Sequence, residues 1–216
     1  STEYILYMYD SGNTSASDIT GLSGFSASAN LTVQGSASGD SMNLNIDRGS
    51  ALTGNLTLNM GAGNDHFYSA KLKNGDSVDM GAGDDQIDIM VGGGSGTPTI
   101  ANLNLTKLDG GAGSDTMKWD ESTAVNGQEL TLTTGGAVNF ENIYGTSATE
   151  TIKGDANDNI LKGGRGGTDT IYGYAGNDTL YGHGIDSDDH NDSSYTDAKT
   201  LYGGAGNDNL YGGYGD

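Results

Sequence analysis

Apolar positions along this chain fall in short alternating runs on either side of glycine turns. Residues 59–90, NMGAGNDHFYSAKLKNGDSVDMGAGDDQIDIM, show the pattern twice, with MGAGND starting at Met60 and MGAGDD at Met80. The turns end on Asp40, Asp65, Asp85 and Asp115, and the flanks keep one register around them. Seven positions earlier stand Val33, Leu58, Val78 and Leu108; two positions later stand Met42, Phe67, Ile87 and Met117. Leu44, Ile89 and Trp119 follow at the fourth position. Period-two alternation on both sides of a glycine turn predicts strand–turn–strand units with one buried face.

From Gly145 the units shorten. The stretch YGTSATETIKGDANDNILKGGRGGTDTIYGYAGNDTLYG repeats about every nine residues, from glycines 145, 154, 163, 173 and 182. After an interruption the unit returns as TLYGGAGNDNLYGGYGD. Its form is G-G-x-G-x-D-x-Φ-x with Φ Ile or Leu, and Asp169, Asp178 and Asp208 hold the aspartate place. Glu150 and Asn159 stand there in two other units, which makes those two weaker candidates.

One such unit cannot bury its own apolar face, so units must stack into a solenoid with a continuous core. Stacking brings equivalent turns to about 4.8 Å from each other. The aspartates then form a column of like charges, which is destabilising unless a cation lies between windings. Calcium suits the place: it takes six to eight oxygens, carbonyl as well as carboxylate, whereas magnesium demands strict octahedral geometry. Glycine turns expose carbonyls, and each aspartate adds a charged ligand. The candidate metal ligands are therefore Asp40, Asp65, Asp85, Asp115, Asp169, Asp178 and Asp208. With them go the turn glycines Gly61, Gly63, Gly81, Gly83, Gly111, Gly113, Gly164, Gly173, Gly176, Gly204 and Gly206, and Asn64, Asn177 and Asn207. A winding with one glycine–aspartate turn predicts a single column in residues 31–144. Two turns per winding of about 18 residues predict two columns later on. KLKNGD at 71–76 reads as an ordinary turn.

GGRGGTDTIYGYAGNDTLYG and LYGGAGNDNLYGG resemble the calcium-binding nonapeptide repeats of the RTX family. The resemblance is close over 145–183 and 200–216 and looser over 31–144. It implies an all-β fold, a right-handed parallel β-roll or β-helix solenoid with calcium-binding Gly-Asp turns. It also implies type I secretion and folding outside the cell on meeting several calcium ions. Three segments are expected: a capping segment at 1–30, a long-coil solenoid at 31–144, and a nonapeptide roll at 145–216 with an insertion at 184–199. The final GGYGD stops within a repeat, so the chain is expected to be a piece of a longer one.

Composition narrows the function. With 29 acidic residues against nine basic ones the net charge is −20, which excludes general attraction to nucleic acid or anionic lipid. There is no cysteine, hence no disulfide and no thiolate metal site. No window approaches 18 apolar residues, so no direct membrane insertion is expected, and the opening STEYILYMYD lacks a signal peptide's basic region. GAGND lacks both GxGxxG and GK[ST], so it is no phosphate loop. DANDNI and DSDDHN lack the glycine and closing glutamate of an EF-hand. Neither a Ser/His/Asp set nor HExxH occurs, and Arg48 and Arg165 are the only arginines, so no enzyme is expected.

The remaining residues are open to two readings each. The insertion HGIDSDDHNDSSYTDAK is a solvated bulge, or an extra site through Asp186, Asp188 or Asp189 with His183 and His190 nearby. Tyr172, Tyr181, Tyr202 and Tyr211 stand three residues after the aspartate place; they form a contact surface for protein or carbohydrate, or an aromatic ladder stiffening the sheet. His66 reads as an exposed strand residue, Trp119 and the YILYMY run as core or end-capping residues. Ala62, Ala82, Ala112, Ala175 and Ala205 in the turns argue against an ice-binding face, which would want threonines. The expectation is a secreted calcium-binding structural protein of the bacterial cell surface, an S-layer subunit or filament. It would self-associate or bind other surface proteins or polysaccharide. The alternatives are a large RTX adhesin's repeat region, or a secretion and folding module of an RTX toxin or hydrolase.

Overall fold

Each alternating run becomes a parallel strand, because every winding brings the chain back to the same edge travelling in the same direction. The computed structural model describes residues 3–7, 17–18, 28–43, 53–70, 72–90, 105–119, 126–131, 137–184 and 197–212. Leu44, Arg48 and the bulk of the acidic insertion, with Asp186, Asp188, Asp189 and His190, lie outside the described residues.

A nine-stranded sheet runs along the molecule. Its strands are β2 (Ser17–Asp18), β4 (Ser41–Asn43), β6 (His66–Ala70), β8 (Gln86–Ile89), β10 (Thr116–Trp119), β13 (Asn142–Tyr144), β15 (Ile160–Lys162), β17 (Thr179–Tyr181) and β19 (Asn209–Tyr211). A six-stranded sheet joins β1 (Glu3–Tyr7), β3 (Asn30–Gln34), β5 (Leu56–Asn59), β7 (Ser77–Asp79), β9 (Lys107–Asp109) and β12 (Ala137–Val138). Beyond it a four-stranded sheet joins β11 (Gln128–Thr131), β14 (Glu150–Lys153), β16 (Thr170–Ala175) and β18 (Thr200–Ala205). Every pairing within these sheets is parallel. The fold is an all-β parallel roll, as the repeat predicts.

The apolar register positions meet in the middle. Val33, Leu58, Val78 and Leu108 face Met42, Phe67, Ile87 and Met117 in one core, which continues through Ile143, Ile152, Leu161, Ile171 and Leu180. Trp119 belongs to that core at 1% exposure. Alternate residues of the same strands, such as Thr57, Asn59, Ser77 and Asp79, stay half-exposed. One sheet face is thus dry and the other wet, which is why period two is legible here although parallel strands usually run continuously apolar.

Residue 145 marks a change of partner rather than a break. The nine-stranded sheet passes through it without interruption, β10 pairing with β13 and β13 with β15. Only the facing sheet changes. Windings in the first half span 25, 20 and 30 residues; in the second they contract to 19, apart from the 30 residues from Asp178 to Asp208 that include the insertion.

Tyr172 stacks on Tyr202 at 4.9 Å between ring centres and Tyr181 on Tyr211 at 4.8 Å, each pair directly opposite across neighbouring strands. The tyrosines therefore form an aromatic ladder that stiffens the sheet. His66 departs from its expected place as an exposed strand residue. Its Nε2 lies 3.0 Å from Asp88 Oδ2, and its side chain is 23% exposed. Burial alone would raise the Asp88 carboxyl, but hydrogen bonds from His66 and Gln86 outweigh it and hold the carboxyl below its ordinary value.

Candidate metal centre

The turns are built by glycine where no other residue fits. Gly61, Gly81 and Gly111 have φ of 104°, 103° and 105°, the left-handed region that branched residues resist. A Cβ on Gly83 would fall 2.0 Å from the Gly63 carbonyl oxygen, and one on Gly113 would fall 1.9 Å from that of Gly83. Between these glycines Ala62, Ala82 and Ala112 pair as successive parallel bridges, so the turns stack as closely as the strands do.

This stacking aligns the aspartates. Asp40 N–H donates to Asp65 Oδ1 at 2.6 Å, Asp65 N–H to Asp85 Oδ1 at 2.8 Å, and Asp85 N–H to Asp115 Oδ1 at 2.8 Å. Asp115 N–H continues to Glu141 Oε2 at 2.7 Å. Strand register carries the same edge onward to Asn159, Asp178 and Asp208. Asn159 N–H donates to Asp178 Oδ1 at 2.9 Å and Asp178 N–H to Asp208 Oδ1 at 3.0 Å. The column of the first half and one column of the second are therefore a single feature along the nine-stranded sheet.

Glu141 was not legible as a member. It stands two residues before the core residue Ile143, the spacing of Asp40 to Met42, but the preceding turn has no glycine. Asn139, at φ 55°, makes that turn instead. Tyr174 likewise fills a glycine place, at φ 78°.

A second, shorter column lines the start of the four-stranded sheet, where register brings together Glu150, Asp169 and Lys199. Glu150 N–H donates to Asp169 Oδ1 at 2.8 Å. The longer Glu150 side chain folds back on its own turn, accepting the Thr146 N–H at 2.9 Å and the Thr146 hydroxyl. Asn159 does the same for Asp155 N–H at 2.9 Å. Asp76 resembles neither. It is buried with both oxygens in use, accepting Leu56 N–H at 2.8 Å and Lys73 N–H at 2.9 Å, and so caps an ordinary turn.

The aspartate columns are electrostatically incomplete. Oδ2 of Asp65, Asp85, Asp115 and Asp178 is buried without a hydrogen-bond partner. Such a group costs free energy, more so if charged. Burial, with added repulsion from Asp85 and Asp40, pushes the Asp65 carboxyl up to about 7. Burial likewise raises Asp115 to about 6, with Asp85, Glu141 and Asp84 adding repulsion, and lifts Asp85 and Asp178. A divalent cation supplies what is missing: charge for the column and a partner for each orphaned oxygen.

The donor chemistry fits calcium. Each turn offers oxygen donors, one carboxylate and the carbonyls of its glycines, of which those of Gly61 and Gly81 also accept the Ala82 and Ala112 N–H. Among the described residues no three His, Asp or Glu side chains converge on a point.

The other candidate ligands fall into distinct places. Asn64 and Asn177 lie on an outer, exposed ladder rather than in the column. Asn64 Oδ1 accepts Asp84 N–H at 3.0 Å, Asp84 Oδ1 accepts Ser114 N–H at 2.9 Å, and Asn177 Oδ1 accepts Asn207 N–H at 3.0 Å. Gly176, Gly204 and Gly206 are left-handed turn glycines with φ of 116°, 107° and 141°. Gly164 is another, at 94°. Gly173 lies within β16, where a Cβ would come 2.3 Å from Asp178 Oδ2. Its role is to leave room for that carboxylate.

A family model described as the RTX calcium-binding nonapeptide repeat matches the chain in four copies, over residues 144–167, 164–184 and 200–216. No curated protein matches it. The matched residues hold Asn159, Asp178 and Asp208, in register with the column that begins at Asp40, and Glu150 and Asp169 of the second column. Residues 144–184 and 200–216 therefore carry RTX calcium-binding nonapeptide repeats, which form the later windings of a parallel β-roll.

Proposed function

We propose that this chain is a secreted scaffold of the bacterial cell surface, an S-layer subunit or extracellular filament, rigidified by calcium along its whole length. The observation that carries the reading is the carboxylate column itself. It runs from Asp40 to Asp208 through windings of unequal length, well beyond the matched nonapeptides. A module needed only for secretion and folding has no use for long, irregular windings that keep the column intact, whereas a load-bearing rod does. The stacked pairs Tyr172–Tyr202 and Tyr181–Tyr211, with Tyr202 and Tyr211 exposed, offer aromatic surface for packing against another copy, a second surface protein or a polysaccharide.

Export by type I secretion follows from the company RTX repeats usually keep. In calcium-poor cytoplasm the column stays uncompensated and the roll only marginally stable. Outside, calcium binding adds to the stability of the fold. No catalytic role is proposed for these residues. No helix among the described residues is long and apolar enough to cross a membrane.

The test has two steps. Far-ultraviolet circular dichroism in EGTA and in calcium at about 10⁻³ M, the affinity range of extracellular modules, should show strand structure gained with the ion. Sedimentation velocity and negative-stain microscopy should then show filaments or sheets in calcium. A protein that folds with calcium yet stays monomeric at all concentrations points to an adhesin's repeat region and removes the scaffold reading.

A further inference from the structure

Lys199 occupies a place that the repeat reserves for a carboxylate. Thr200 pairs with Thr170, and Thr170 with Thr151. The residues just before them are Lys199, Asp169 and Glu150, so lysine continues a column that carboxylates began. Its side chain is wholly buried, as is that of Asp169.

The ammonium is held as a cation would be. Lys199 Nζ donates to the Gly166 and Gly167 carbonyl oxygens, each at 2.6 Å, and to Asp169 Oδ2 at 2.8 Å. Two glycine-turn carbonyls and one motif aspartate are the donor set that the repeat offers to calcium. Three donor hydrogens meet three oxygen acceptors, which is the condition under which a buried ion pair holds. The contrast with the first column is direct. Oδ2 of Asp65, Asp85, Asp115 and Asp178 has no partner, while Oδ2 of Asp169 has this one.

We propose that the Lys199 ammonium is a built-in cation that stands in for a calcium ion at the turn 163–169, so that this winding closes without metal. The location gives the device a purpose. Eighteen residues separate β17 from β18 along the chain, and Lys199 immediately precedes β18. A tether carried by the chain itself fixes the register of β18 on β16, whatever the calcium concentration. The inference needs only the calcium-binding repeat; it does not depend on whether copies assemble at a surface.

Calcium bound per chain, measured by equilibrium dialysis with atomic absorption, decides it. Lys199→Asp restores the carboxylate and should bind one ion more than the unmodified chain; an equal count overturns the proposal. Lys199→Met keeps the length without the charge and should bind no extra ion while melting at lower temperature in EGTA. An unchanged melt overturns it. Amine acylation of the unmodified, calcium-saturated chain stands apart from any folding defect in the variants. Lys199 should react at least about tenfold more slowly than Lys107, whose side chain is 39% exposed. Equal rates would mean that calcium evicts the ammonium, and the proposal fails.

Discussion

Replacing Asp85 by Asn should stabilise the calcium-free protein and weaken its response to calcium. Asp85 lies in mid-column, between Asp65 and Asp115. Asn keeps the Oδ1 that accepts the Asp65 N–H at 2.8 Å, so the hydrogen bond survives. What disappears is a charge whose second oxygen is buried and unpartnered. At a winding separation of about 4.8 Å and an effective dielectric constant of about 20, each neighbouring charge repels it by about 3 kcal/mol. The carboxylates take up protons before bearing all of that, so roughly half the two-neighbour sum, about 3 kcal/mol, is recovered. For a chain of this size the melting temperature in EGTA should rise by roughly 6–12 °C. In saturating calcium the order should reverse, because the variant offers one charged ligand fewer. Melting followed by circular dichroism in both buffers measures the crossing. Asp84→Asn is the comparison: it changes net charge equally, but Asp84 is exposed, so its repulsion of Asp85 and Asp115 is screened by solvent and its removal should recover less. If Asp85→Asn melts no higher than the unmodified chain in EGTA, or no higher than the Asp84 variant, repulsion in the column is not what keeps the metal-free chain unstable.

Three further outcomes follow from the same geometry. Asp65 and Asp115 titrate near 7 and near 6 in the fold against 3.8 outside it, so protonation favours the folded state. That stability is full below the unfolded value and is lost as pH rises through the folded ones; melting temperature in EGTA should therefore fall between about pH 4 and pH 8 and stay level in calcium, and a flat profile in EGTA would contradict it. Gly83→Ala should raise the calcium midpoint strongly, since its Cβ would lie 2.0 Å from the Gly63 carbonyl oxygen. Gly127→Ala, at φ 84° with nothing within 4 Å, should cost only about 1 kcal/mol, and equal costs at the two positions would show that the turns do not need the close approach. Phe67→Ala, in register with Met42 and Ile87 and fully buried, should lose about 3–5 kcal/mol with or without calcium; chemical denaturation in saturating calcium measures the loss, and none would remove Phe67 from the core.

Most of the fold could be read from residue spacing because the strands are parallel but wet on one side. Val33, Leu58, Val78 and Leu108 kept their distance from the aspartates although the windings between them differ in length. The variation in length falls between the strands, so local alternation stayed intact while global periodicity did not. What spacing could not show was continuity. Treating residues 145–216 as a separate kind of solenoid hid the fact that Asp115, Glu141 and Asn159 belong to one edge. The turn at Asn139 carries no glycine to announce it, and only the pairing of β10, β13 and β15 reveals the column passing through.

Lys199 escaped for a different reason, though a trace of it was visible. A search for aspartate at each turn finds none there, and the residues before Thr200 resemble no repeat. Yet Tyr202 keeps the three-residue offset that Tyr172 has from Asp169 and Tyr181 from Asp178, which points to 199 as the missing place. A motif written in terms of one residue type treats lysine as a failure of the pattern. Written in terms of charge, the pattern is a buried carboxylate facing glycine carbonyls across a gap that must hold something positive. Calcium and an ammonium both answer that requirement, but they differ in where they come from. Calcium arrives from outside and makes folding conditional on the medium; Lys199 arrives with the chain and makes one winding unconditional. A roll in which Asp65, Asp85, Asp115 and Asp178 each leave a buried oxygen unpartnered thus carries, just ahead of β18, one contact already closed from which the neighbouring strands can align.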